Sequence, residues 1–143
     1  MRTRQVLCPT DFSETANHAL SYAVEMANFY KVGLRILHVI SKPYGETNYG
    51  IVSITPSELE KYTETYAAEK MRDVLAHLQT HLRVETIIRR GSAVGQILEE
   101  AENVDVGMIV MASHGLTGVG HFLHASVAEE VAIKAKKPVL VVK

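Results

Sequence analysis

The sequence predicts an α/β fold, a single doubly wound parallel sheet of five strands with helices on both faces. Three observations predict it. Short apolar runs alternate with longer stretches of helical period, the pattern of successive βαβ units. Those runs are continuously apolar rather than alternating, as strands covered on both faces are. The 143 residues, 47% of them hydrophobic, suffice for one domain (1–143) with a buried core, and no linker or low-complexity stretch divides them. Right-handed crossovers then leave only a few doubly wound topologies.

The elements follow in order. Val6-Leu7-Cys8 is the first strand, halted by Pro9. Ala16, Ala19, Leu20, Ala23, Ala27 and Tyr30 recur at spacings of three and four, one face of a helix, and Asp11 with Glu14 resembles a capping box before it. Gly33 resets the chain, and Leu34 to Ile40 is the second strand. The connection from Ser41 to Pro56 exceeds the roughly 12–15 residues that structureless loops usually reach. It reads equally as a lid over a ligand and as a plain surface loop. From Ser57 to Thr80 a long amphipathic helix runs through Leu59, Tyr62, Tyr66, Met71, Val74, Leu75 and Leu78, with Ser57 as N-cap and Glu60 completing its capping box. Val84 to Ile88 is the third strand. Gly91-Ser92 opens a helix whose apolar face is Val94, Ile97, Leu98 and Ala101. Val106 to Met111 is an uncharged fourth strand, Val127 to Ala135 a last helix, and Val139 to Val142, after Pro138, the fifth strand.

Composition narrows the function. The formal net charge is −1 and no basic run exceeds Lys136-Lys137 or Arg89-Arg90, so nucleic acid is not an expected partner. The one cysteine, Cys8, has no internal disulfide partner and suits a reducing compartment. The apolar stretch after Met1-Arg2-Thr3-Arg4 ends at Cys8-Pro9, too short for a signal-peptide core, and nothing approaches the roughly 18 apolar residues of a membrane span. A cytoplasmic protein without membrane attachment is expected.

In open α/β sheets ligands bind beyond the carboxyl ends of the strands, where the strand order reverses. That rule selects Pro9-Thr10-Asp11-Phe12-Ser13, then Val39-Ile40, then Ala112-Ser113-His114-Gly115. The stretch from Ala112 to Ser126 joins a strand to a helix and holds Gly115, Gly118 and Gly120, whose small size lets backbone N–H groups approach an anion. The first helical turn, near Ser126, would face the same anion with its dipole behind it, so a diphosphate or triphosphate fits. The plainer reading is a glycine-containing surface loop with Ser126 as N-cap. The stretch is neither a Walker A loop, having no lysine, nor the dinucleotide fingerprint. Without a cation on the phosphates, fast phosphoryl transfer is not expected. Asp11 could accept from an adenine amino group or a ribose hydroxyl. His114, His121 and His124 share one loop, but zinc wants about four ligands and no cysteine is near, so they read as solvated and no metal site is expected. No Gly-x-Ser-x-Gly elbow or Cys–His pair points to hydrolase chemistry.

At these residues the chain resembles the universal stress protein family over essentially its whole length. The carriers are Pro9-Thr-Asp-Phe-Ser-Glu14, Leu37-His-Val-Ile40, Met111-Ala-Ser-His-Gly-Leu-Thr-Gly118, Ala125-Ser-Val-Ala-Glu129 and Pro138-Val-Leu-Val-Val142. The resemblance implies an adenine nucleotide alpha hydrolase-like sheet of order 3-2-1-4-5 and a homodimer paired through Val139–Val142, an apolar edge that benefits from pairing. In nucleotide-binding members the phosphate motif reads G-x-x-G-x9-G-[S/T]. Ala112, Gly115, Ala125 and Ser126 fall on it, so two of its three glycines are alanine here. Asp11 and Val39 match the adenine and ribose positions, with Pro9 beside them. Thr10, Met111, His114 and Val127 flank these and complete the expected contacts. The resemblance thus implies a stress-response module that binds ATP or another adenine nucleotide, with or without magnesium or manganese, and does not turn it over efficiently. A dimeric interaction protein that binds no nucleotide is the alternative, and a slow ATPase the third reading.

Overall fold

A computed structural model of the chain describes residues 4–41, 55–113 and 125–143. Strand β1 (Gln5–Pro9) leads into helix α1 (Glu14–Tyr30), then β2 (Gly33–Ile40), α2 (Pro56–His77), β3 (Val84–Arg90), α3 (Ala93–Ala101), β4 (Val106–Ala112), α4 (Ala125–Lys134) and β5 (Val139–Val142). The five strands form one parallel sheet of order β3-β2-β1-β4-β5, as expected. The chain steps one way from β1 to β3, then crosses to the other side of β1 for β4 and β5. Crossovers of one hand therefore put helices on both faces. Neighbouring side chains of β3 record this directly: Arg89 bonds Glu100 of α3, whereas Arg90 bonds Thr63 and the Glu60 carbonyl of α2. Alternate residues of a strand point to opposite faces, so α2 and α3 lie on opposite sides.

The central strands are buried throughout. Every residue of β1 and β4 is buried, and Leu7, Leu34, Ile36, Leu37, Ile97, Ile109 and Met111 form the bulk of the core. The edge strands differ from the expectation of full cover. Strand β3 alternates half-buried and exposed residues, and β5 leaves Leu140 and Val141 exposed, because an edge has one neighbour rather than two. Helix α1 buries Ala16, Ala19, Leu20, Ala23 and Ala27, small side chains that bring it close to the sheet; Tyr30, expected on that face, is exposed. The helix ends at Lys31 in the left-handed conformation (φ 57°), whose N–H bonds back to Ala27 and Asn28. Gly33 is therefore not the helix stop. It begins β2, where an added Cβ would stand 3.2 Å from the Arg83 carbonyl oxygen.

The cap of helix α2 lies two residues before the expected one. Thr55, not Ser57, accepts from the Glu58 N–H, Glu58 reaches back to the Thr55 N–H, and Pro56 occupies the first turn, where its missing N–H costs nothing. Its buried residues are Ala67 and Met71, while Tyr62, Tyr66 and Leu75 are exposed, a narrower apolar stripe than expected. Ser92 caps α3 by accepting from Gly95, behind Gly91, whose φ of 135° suits glycine alone. No helix among the described residues is long and apolar enough to cross a membrane.

Candidate functional site

Beyond Pro9 and Ala112 the two middle strands part. The β1–β2 ladder continues through Pro9↔Leu37, and the Thr10 N–H extends it to the Leu37 carbonyl at 2.8 Å. On the other side, the Ser113 N–H bonds the Val142 carbonyl of β5 at 2.8 Å. The β1–β4 ladder itself stops at Leu7↔Ile109. Backbone N–H groups alternate sides along a strand, so with Thr10 facing β2 the nitrogen of Pro9 faces β4. A proline has no hydrogen to give there, which ends the ladder. The crevice where strand order reverses thus lies between the carboxyl ends of β1 and β4, where parallel α/β sheets bind ligands.

The segment from Thr10 to Ser13 rims this crevice and is held by its own side chains. The Phe12 N–H bonds Thr10 Oγ1 at 3.0 Å, and the Ser13 N–H bonds Asp11 Oδ1 at 3.0 Å. Ser13, rather than Asp11 with Glu14, is the N-cap of α1: its Oγ accepts from the Ala16 N–H at 3.1 Å. Thr10, Asp11 and Ser13 are all buried. A carboxylate offers about four acceptor positions, of which the Ser13 N–H takes one. Phe12 carries φ of 68°, left-handed backbone that a bulky side chain rarely adopts. Its ring lies against His38 of β2, centroids 4.3 Å apart and 30° from parallel, and meets Tyr66 of α2 edge-on at 6.5 Å. His38 Nδ1 stands 2.8 Å from the Thr10 carbonyl oxygen. A carbonyl only accepts, so the proton sits on Nδ1. Burial holds the His38 imidazole below its usual pKa, against the raising pull of that bond and of Asp11, which favours a neutral ring.

The structure places the expected residues as follows. Pro9, Thr10 and Asp11 stand at the end of β1; Val39, buried, is next to last in β2; Met111 and Ala112, both buried, end β4; Val127, buried, lies in the first turn of α4. Ala112 is an ordinary strand residue, and among the described non-glycine residues only Phe12 and Lys31 have positive φ. What alanine brings at position 112 is a methyl group, not backbone strain. Helix α4 opens at Ala125, so Ser126 lies inside its first turn and is not its cap. His114 and Gly115, with Gly118, Gly120, His121 and His124, lie outside the described residues, as does most of the 41–56 connection. Among the described residues no three His, Cys, Asp or Glu side chains cluster to hold a metal. Cys8 is buried, and burial pushes its thiol up to about 12, so it carries no nucleophile at neutral pH.

Sequence reasoning gave Phe12 and His38 no role, although a single histidine in the apolar run of β2 was a visible signal. It also missed a polar network that joins α3 to strands β1, β2 and β3. Arg35 gives Nε to Gln5 Oε1 (2.9 Å), and its two terminal nitrogens reach Glu100 Oε2 (3.0 Å) and Glu85 Oε2 (2.8 Å). Arg89, the register partner of Val39, bonds the other Glu100 oxygen at 2.8 Å. Beyond β2 and β3, Ile40, Glu64, Ile88, Arg89, Arg90 and Gln96 line a cleft of about 560 Å³.

Against known proteins, the Universal stress protein family profile matches residues 2–143. The universal stress protein MJ0577 of Methanocaldococcus jannaschii is 33% identical over 153 residues, spanning 98% of this chain and 94% of its own. The solved structure of MJ0577, a hypothetical protein when its biochemical function was assigned from that structure, superposes with a TM-score of 0.80 at 34% identity, over 100% of this chain and 97% of that one. A universal stress protein in complex with cAMP gives a TM-score of 0.64 at 22% identity, over 100% and 98% of the two chains. One from Archaeoglobus fulgidus in complex with dAMP gives 0.58 at 24%, over 99% and 98%. With the profile spanning nearly every residue and a relative 33% identical over 98% of the chain, the chain belongs to the universal stress protein family.

Proposed function

We propose that this chain binds an adenine nucleotide, ATP or a relative of it, across the β1–β4 crevice, as a homodimer and without efficient turnover. One observation carries the reading: Asp11, buried and fixed by the Ser13 N–H, stands at the carboxyl end of β1 where the strands part, one strand from Val39. Adenosine would lie along Asp11 and Val39 with Pro9 and Thr10 beside it. The phosphates would reach the 112–127 stretch, where Met111, Ala112, His114, Gly115, Ala125, Ser126 and Val127 stand and where the first-turn amides of α4 favour an anion. The cAMP and dAMP complexes of two family members support an adenine ligand. The open edge of β5, with Leu140 and Val141 exposed, is where a second copy would add its own strand.

The direct test is to denature the purified protein, look for released adenine nucleotide by mass spectrometry, and titrate the native protein calorimetrically with ATP. Released nucleotide or a saturable heat is expected; neither, at millimolar ATP, overturns the reading. Gly115→Leu should abolish binding and leave the dimer intact. Phosphate release above that variant's background would restore the slow ATPase. The methyl groups of Ala112 and Ala125 are the observation favouring a dimer that binds no nucleotide. Ala112→Gly with Ala125→Gly should tighten ATP about threefold to tenfold, up to roughly 1.4 kcal/mol. Unchanged affinity would show that neither methyl meets the ligand.

A further inference from the structure

We propose that His38 is the positioning residue of this edge, its Nδ1–H the principal hold on the Thr10–Phe12 turn in the conformation that presents Asp11, with its ring a lesser support against Phe12. The proposal rests on the nucleotide reading, and its test is built to fail separately. The turn needs an outside hold. A bulky residue in left-handed backbone is strained by about 1–2 kcal/mol, and such strain persists only where surrounding structure over-determines it. The bonds within the turn, Phe12 to Thr10 and Ser13 to Asp11, are local and move with it. Two groups of β2 tie it to the sheet: the Leu37 carbonyl accepts from the Thr10 N–H, and His38 reaches the Thr10 carbonyl at 2.8 Å. The same imidazole lies 4.3 Å from the Phe12 ring, which also meets the edge of Tyr66 and packs against the core. His38 is therefore bonded to one side of Asp11 and stacked on the other. It fixes both flanks of that carboxylate while standing on the neighbouring strand.

Two substitutions divide the roles. Asparagine carries an N–H as many bonds from Cβ as Nδ1 is, so His38→Asn keeps the donor and loses the ring. His38→Phe keeps a ring and loses the donor. With the donor as the principal hold, His38→Phe should weaken ATP about tenfold and speed exchange of the Ser13 amide about tenfold. Amides of β4 should keep their protection, and His38→Asn should stay near wild type in both readouts. Nitrogen shifts of the wild-type ring should show the proton on Nδ1. Unchanged affinity in His38→Phe overturns the proposal, as does a loss that His38→Asn shares in full. Failure of the wild-type protein to bind any adenine nucleotide overturns the functional reading alone, and Ser13 exchange in the two variants then decides the positioning role.

Discussion

Replacing Glu100 by alanine is expected to lower stability by about 3 kcal/mol, the lower end of the cost of breaking a buried ion pair. The Glu100 side chain is 3% exposed and sits between Arg35, 12% exposed, and Arg89, 39% exposed. Its loss takes from Arg35 one of its two carboxylate partners under α3, and desolvation of a guanidinium left partly uncompensated is the main cost. Two features keep the loss from the upper end. Arg35 retains Glu85 and Gln5, and Arg89 has a route to water. Glu85 is itself held below the usual carboxylate range, first by a hydrogen bond from Gln5 and then by Arg35. Urea unfolding would read the change as a lower midpoint with unchanged slope. Replacing both partners, Arg35→Met with Glu100→Leu, should recover most of the loss, since an apolar pair of similar volume leaves no buried charge behind. A Glu100→Ala loss below about 1 kcal/mol would place the network among ordinary surface pairs.

Asp11→Ala is the second large effect, expected in binding and in stability together. A hydrogen bond to a charged acceptor contributes about 1.5–3 kcal/mol, so ATP affinity should fall roughly tenfold to a hundredfold. The Ser13 N–H also loses its acceptor, which costs about 1 kcal/mol of stability. Asp11→Asn separates the two, because an asparagine oxygen still makes the turn bond but carries no charge. It should hold stability close to wild type and still lose about tenfold in affinity. Calorimetric titration beside thermal unfolding checks both. Wild-type affinity in both variants would move adenosine away from Asp11.

Much of this was legible because it is local. Apolar runs and helical spacing gave every strand and helix, and the carboxyl-edge rule pointed to Asp11 before any coordinates did. The caps show where local reading falters. Thr55-Pro56-Ser57-Glu58 and Ser57-Glu58-Leu59-Glu60 both fit the capping-box pattern, and Pro56, whose missing N–H costs nothing in a first turn, favours Thr55. At α1, Asp11 and Ser13 are both good caps. Ser13 takes the role because Asp11 lies one strained residue earlier, turned to accept from Ser13 itself.

By itself the sequence determined the order of elements, the parallel sheet and the residues at its carboxyl edge. Each of these follows from continuous apolar runs, the 3.6-residue helical period and turn chemistry within a few positions. The tertiary structure alone decided which distant side chains meet. Arg35 finds Glu100 across 65 residues, and His38 finds Thr10 across 28. The physical reason is that strand register, absent from any local pattern, sets which polar groups share a face and so which of them are buried together.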